Sequence, residues 1–277
     1  MSPNDDAQNQ PPRRGIRRRD AFVAMGTLGL GGVLGATRLG SATADAVAAA
    51  ASCVLTPEVT EGPYWIENGL TRHDIRAGRP GLPLEIVFTV ENAKTCKPIA
   101  GADVEIWHCD AGGVYSVYES LSQGANGTTP GAPPAGAPPS GTPPTAPPSG
   151  GGAPGGHQTP TDDKRYLRGH QRSDADGKVS FLTVFPGWYR GRTPHVHLKV
   201  HVGGSVVHTG QVFFNEAVTA AVYKRAPYKS HGQPDTSHAA DTIFAAAGKG
   251  KAVLKLGKRP GGKPGYRGTI TLGVATS

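Results

Sequence analysis

Cysteine, methionine and aromatic residues are scarce in this sequence: three Cys, two Met and 6% aromatics in 277 residues. Three cysteines, Cys53, Cys96 and Cys109, allow at most one disulfide and leave a thiol over. Cys53 and Cys96 stand in loop-like contexts, whereas Cys109 follows a strand pattern, so the expected pair is Cys53 with Cys96. No segment carries the period of a long amphipathic helix, and basic residues are not interleaved with aromatic ones. The second absence matters because the net charge is +8. Five of the arginines precede Asp20, and many other basic residues are scattered through Gly-rich C-terminal stretches such as 255–263. That distribution is not the footprint of a nucleic-acid-binding surface. It implies only a weak preference for anionic ligands.

Apolar runs of bilayer length are missing too. The stretch 21–37 is shorter than the roughly 20 apolar residues of a membrane span. Arg17, Arg18 and Arg19 precede it, and small residues follow at Ala42, Thr43 and Ala44, with further alanines up to Ala51. A basic region, a short apolar region and a small-residue cleavage site make residues 1–51 a signal peptide and leader. The arginine pair and the Gly-rich apolar region point to twin-arginine export, although Phe22 falls one place later than the usual motif. The expected location is outside the cytoplasm, in the cell envelope or beyond it.

Glycine and proline, by contrast, are abundant: 40 and 25 residues. Much of that excess falls in 124–160, which is almost wholly Gly, Pro, Ala, Ser and Thr and has little to bury. It reads as a disordered or polyproline insertion within a domain spanning 53–277. Around it lie short strand patterns at 84–90, 104–107, 179–184, 195–202, 205–214, 252–256 and 269–274, with short helices expected at 217–223 and 238–247. Asp174-Ala175-Asp176-Gly177 is a hairpin-type turn before the third of these strands. Many short strands between Gly/Pro turns predict an all-β fold, an antiparallel β-sandwich with long loops.

The densest chemistry lies in Pro186-Gly187-Trp188-Tyr189-Arg190-Gly191-Arg192-Thr193-Pro194-His195-Val196-His197. Alternation from 195 to 202 predicts a half-buried strand with Val196, Leu198, Val200 and Val202 toward a core. His195 and His197 then share the opposite face, a spacing at which two imidazoles can close on one metal ion. Tyr115 and Tyr189 are further candidate ligands; either tyrosine alone reads more readily as a packing residue, and the case rests on their joint occurrence with Arg192. Two phenols and two imidazoles suit ferric iron, because a hard trivalent cation stabilises phenolate oxygen. Zinc more often recruits Cys or carboxylate, and copper more histidines. Gly187 and Gly191 flank Tyr189 and are expected to give its loop room to move.

From 53 to 214, the insertion set aside, the chain resembles the intradiol ring-cleavage dioxygenases, with weaker similarity to the C-terminus. The motifs are Thr60-Glu61-Gly62-Pro63-Tyr64, Val104-Glu105-Ile106-Trp107 leading to Gly113-Val114-Tyr115, Asp176-Gly177, and Pro186-Gly187-Trp188-Tyr189 followed by Arg192, His195 and His197. The variant looks most like the exported bacterial subgroup related to protocatechuate 3,4-dioxygenase. The resemblance implies a non-haem Fe(III) held by Tyr115, Tyr189, His195 and His197, with Tyr189 axial and Tyr115 equatorial. It implies that Arg192 stabilises negative charge on the substrate ring, that Gln211 lines the pocket and that Tyr64 contacts substrate. Tyr118 is a rival to Tyr115, and His108 departs from the family, whose members often carry Gln there. The implied reaction opens a catechol ring with O2 between the two hydroxylated carbons, giving a muconate-type diacid, and both oxygen atoms enter the product. Two other readings are a non-catalytic, transthyretin-like sandwich that binds metal or polysaccharide, and a copper or zinc redox enzyme built on the His-x-His strand.

Overall fold

The computed structural model describes residues 53–67, 69–122 and 157–276. The leader 1–51 and most of the expected insertion lie outside the described residues, which all belong to one compact unit spanning 48–277. Among the described residues, eight strands form two four-stranded sheets. They are β1 (Pro83–Asn92), β2 (Asp103–Trp107), β3 (Arg168–Arg172), β4 (Lys178–Val184), β5 (His195–Val202), β6 (Ser205–Phe213), β7 (Lys255–Lys258) and β8 (Tyr266–Val274). One sheet has the order β4-β1-β8-β7 and the other β3-β2-β5-β6.

Strand β1 shows why these segments pair as they do. In Pro-Leu-Glu-Ile-Val-Phe-Thr-Val, every second residue is apolar, and Leu84, Ile86, Phe88 and Val90 are fully buried. β4 answers with Val179 and Phe181, and Phe88 meets Phe181 edge-on at 6.3 Å. From the second sheet come Val104, Ile106, Val196, Leu198, Val200 and Val212, so one core fills the space between the layers. Among the pairings of these eight strands one is not antiparallel: β1 and β8 run parallel, from Leu84 beside Tyr266 to Asn92 beside Val274. A parallel neighbour needs a long crossover, and here the rest of the domain supplies it.

Strand β5 occupies 195–202 as expected, and Gly203 and Gly204, both at positive φ, turn it directly into β6. It is not half-buried, however. Its first six residues are all buried, including His195, His197 and Lys199. The reason is the N-terminal segment, which crosses the outer face of this sheet. Val59 N–H donates to the Thr209 carbonyl at 3.1 Å, and Glu61 pairs with Lys199. Lys199 Nζ also sits over the Trp65 ring, 3.6 Å from its centroid.

Other boundaries shift for local reasons. Helix α1 (Glu216–Val222) starts at Asn215, whose side chain accepts from Ala217 and Val218 N–H. The helix expected over 238–247 begins only at Thr242, as α2 (Thr242–Ala246), because Asp241 caps it. The strand expected at 252–256 starts later, since Lys249–Ala252 forms a 3-10 turn. Cys53 and Cys96 are joined, while Cys109 is buried and free. The expected insertion ends before 157. His157 pairs with Glu61 and its ring lies 5.1 Å from that of Trp65, and Gln158 N–H donates to the Pro63 carbonyl. Among the described residues no helix is long and apolar enough to cross a membrane.

Candidate metal centre

Four side chains from three segments converge above the start of β5. The Nε2 atoms of His195 and His197 are 3.1 Å apart. Tyr115 Oη is 3.1 Å from His197 Nε2 and 3.4 Å from His195 Nε2, and Tyr189 Oη is 3.1 Å from His195 Nε2. All four residues are buried. Donor atoms this close describe the edges of a coordination polyhedron whose metal–ligand bonds are about 2 Å. Neutral imidazoles can share at most one N–H across such a gap, so their lone pairs otherwise repel. The donor set therefore fits a cation. Among the described residues no group of three or more His, Cys, Asp or Glu is placed to hold a metal, so a conventional zinc or calcium set is not present there.

Local structure prepares each donor. His195 Nδ1–H donates to the Thr193 carbonyl at 2.7 Å, which leaves the Nε2 lone pair free to ligate. His197 lies flat on Trp107, with ring centroids 5.0 Å apart and an interplanar angle of 9°. A side chain at position 62 would come within 3.1 Å of His197 Cε1, and Gly62 itself holds φ +77, so this position needs glycine twice over. Burial, and then the nearby Arg192, hold the His195 imidazole well below its ordinary range. For His197 the causes are burial and then His195. Both are therefore neutral. Burial drives the Tyr115 phenol well above its ordinary value. It raises Tyr189 as well, while Arg192 pulls the other way. Without a cation both phenols keep their protons; as ligands they must lose them to it.

Tyr189 sits in a tighter loop than its flanking glycines suggest. Gly187 N–H donates to the Asp110 carbonyl at 2.9 Å, and a Cβ on Gly187 would collide with that same carbonyl oxygen. Gly187 is thus a close-packing glycine. The freedom lies at Gly191, at φ +82 with open space around it. Arg192 lies beside the cluster, with Nη1 3.5 Å from Tyr189 Oη. Its Nη2 donates to Gln211 Oε1 at 2.6 Å, and Gln211 Nε2 donates to the Thr60 carbonyl at 2.9 Å. Tyr64 packs against Tyr115, with ring centroids 4.7 Å apart. Tyr118 stays outside the donor set, its hydroxyl donating to the Trp65 carbonyl. All seven residues expected at the site are therefore grouped here.

An intradiol ring-cleavage dioxygenase from Tetranychus urticae has the same fold, with a TM-score of 0.64 and 30% identity over 80% of this chain and 95% of that one. The chain belongs to the intradiol ring-cleavage dioxygenases. Catechol 1,2-dioxygenase 1 of Acinetobacter lwoffii is 33% identical over 139 residues, 48% of this chain. The match spans 32% of that curated relative's length. Hydroxyquinol 1,2-dioxygenase from Pseudomonas putida DLL-E4 shares the fold at 17% identity, with a TM-score of 0.50 over 82% of this chain and 68% of that one. No protein-family profile matches the chain.

In this intradiol dioxygenase, His108 points away from the donor cluster. Its Nε2 meets Thr183 Oγ1 and its Nδ1 the Cys109 carbonyl, both at 2.7 Å, and burial lowers its pKa to about 4. It is a structural neutral histidine. Two contributors escaped sequence reasoning. Trp107 lay inside a quoted motif, but its stacking on His197 depends on the cross-strand register of β2 and β5. Asp241, which pairs with Arg192, carries the signature of a helix cap before Thr-Ile-Phe and nothing that points to a site 49 residues earlier.

Proposed function

We propose that the protein is a non-haem ferric dioxygenase that opens catechol-type rings with O2 between the two hydroxylated carbons. The observation that carries this reading is the convergence of two phenol oxygens and two imidazole nitrogens at 3.1–3.4 Å in a buried site beside a guanidinium. Tyr115, Tyr189, His195 and His197 would hold the iron. Bound ferric iron would supply the positive charge that stabilises phenolate and catecholate and makes the ring reactive toward O2.

The chain's own residues do the rest. His195 and His197 stay neutral and oriented, one by the Thr193 carbonyl and the other by the Trp107 face. A catechol arriving with two hydroxyl protons needs a base. With iron bound, Tyr189 Oη would be a phenolate able to take up one of those protons, since a phenol without a cation has a high pKa, and Gly191 would let its loop move. Arg192, held between Asp241 and Gln211, offsets the negative charge that grows on the ring. Tyr64 borders the substrate, and the segment 59–65 keeps bulk water off the sheet.

Oxygen uptake by iron-loaded protein with a panel of catechols tests the reading. One O2 per catechol, with a diacid product, is expected; no uptake with any member rejects it. We also propose that Arg18 and Arg19 direct export. Replacing both with Lys should leave the precursor inside the cell, and undiminished export would refute this.

A further inference from the structure

Asp241 has no exposed side-chain surface, and its carboxylate makes four short contacts. Oδ1 accepts from Ile243 and Phe244 N–H at 2.9 and 3.0 Å and so starts helix α2. Oδ2 accepts from Arg192 Nε–H and from Thr193 N–H, both at 3.0 Å. The guanidinium is thereby held at two of its three nitrogens: Nε by α2 through Asp241, and Nη2 by β6 through Gln211. A planar fork fixed at Nε and Nη2 has one orientation, and it leaves Nη1 directed at Tyr189 Oη. Oδ2 thus also grips the N–H of Thr193, the residue whose carbonyl accepts from His195 Nδ1–H. One carboxylate therefore indexes both the guanidinium and a ligand imidazole.

We infer that Asp241 is a positioning residue that fixes the orientation of Arg192 and balances its charge. The inference rests on the role proposed for Arg192 above. Without Asp241 the buried guanidinium would lack its counter-charge, and the nearest alternative is the oxygen of Tyr189. Arg192 would then close on the phenol that has to leave, instead of facing the substrate ring.

A double-mutant cycle with Asp241→Asn and Arg192→Ala tests this. Asn caps a helix as well as Asp does, so the substitution removes the charge and spares α2. In iron-loaded protein, Asp241→Asn should lower kcat roughly 10- to 100-fold with KM within about 3-fold, the usual cost of losing an outer-shell partner. Added to Arg192→Ala, it should cost nothing more. Urea unfolding of the metal-free proteins should show the same two residues energetically coupled. Asp241→Ser, which also caps without charge, repeats the test should the Asn variant fold poorly. An unimpaired Asp241→Asn enzyme, or losses that simply add, would overturn the inference; so would zero coupling in the unfolding cycle. Failure of the wild-type arm to cleave any catechol would instead reject the functional reading, and the unfolding cycle would still decide the clamp.

Discussion

Tyr189 reaches back to His195, six residues along the chain, and places its phenol oxygen 3.1 Å from the imidazole Nε2. Tyr115 approaches from a loop 80 residues away and meets both histidines. The two tyrosines are thus not equivalent. Tyr189 hangs from a loop that turns at Gly191, at φ +82, whose N–H donates to Asp235 Oδ1 at 3.2 Å. Tyr115 has its backbone N–H bonded to Ser122 Oγ at 2.8 Å and its ring packed under Tyr64.

That difference predicts distinct behaviour. Tyr189→Phe should retain iron with altered colour, bind catechols more slowly and turn over poorly. Tyr115→Phe should change the spectrum of the catechol complex more severely, because its phenolate stays in place there. Visible spectra of both variants with and without catechol check this. Loss of all tyrosinate absorption from the Tyr189→Phe complex, with retention in that of Tyr115→Phe, would mean that the roles are reversed.

Arg192 is held off the donor cluster by Asp241 and Gln211 and is not placed as a ligand. Arg192→Ala should therefore keep iron and colour while losing on the order of 10²-fold or more in turnover, as for other preorganised charges. Iron analysis together with kcat measures it, and full activity would remove Arg192 from the reaction.

How much of this was legible in the sequence depends on the range of the interaction. The bounds of the strand at 195–202 follow from local alternation and hold residue for residue, but the face expected to be open is buried as well. Strand β3 does not: Arg-Gly-His-Gln-Arg has no apolar alternation and is a strand because β2 pairs with it. The parallel β1–β8 contact joins the two ends of the domain and leaves no local mark. The burial of His197 and Lys199 was missed because their cover, from Glu61, Gly62 and Trp65, lies more than 120 residues earlier. The four residues that converge at the candidate site stand out in the sequence because their types are chemically distinctive. Asp241 does not, because a capping aspartate looks the same whether or not it also holds an arginine.

The cover over the sheet has its own pH signature. Glu105 is 7% exposed, accepts from Trp65 Nε1–H at 3.1 Å and lies 3.9 Å from His201 Nε2. Burial outweighs the Trp65 hydrogen bond and the Lys199 charge and raises its pKa from 4.5 to about 7. The folded state therefore holds the proton that the unfolded chain has already released. This contribution to stability is present below about pH 4.5 and falls away as pH rises toward 7. Glu105→Gln should be more stable than wild type at pH 8, on the order of 3 kcal/mol, with the difference vanishing near pH 4. Urea unfolding at the two pH values checks it, and a constant difference would place the cause elsewhere.

The proposed reaction opens the ring between the hydroxylated carbons and retains both atoms of O2. Mass analysis of the product that iron-loaded protein forms from catechol under ¹⁸O₂ decides it. A muconate-type diacid carrying two labelled oxygens is expected. A product cleaved beside the diol, a quinone without label, or unchanged catechol would contradict it.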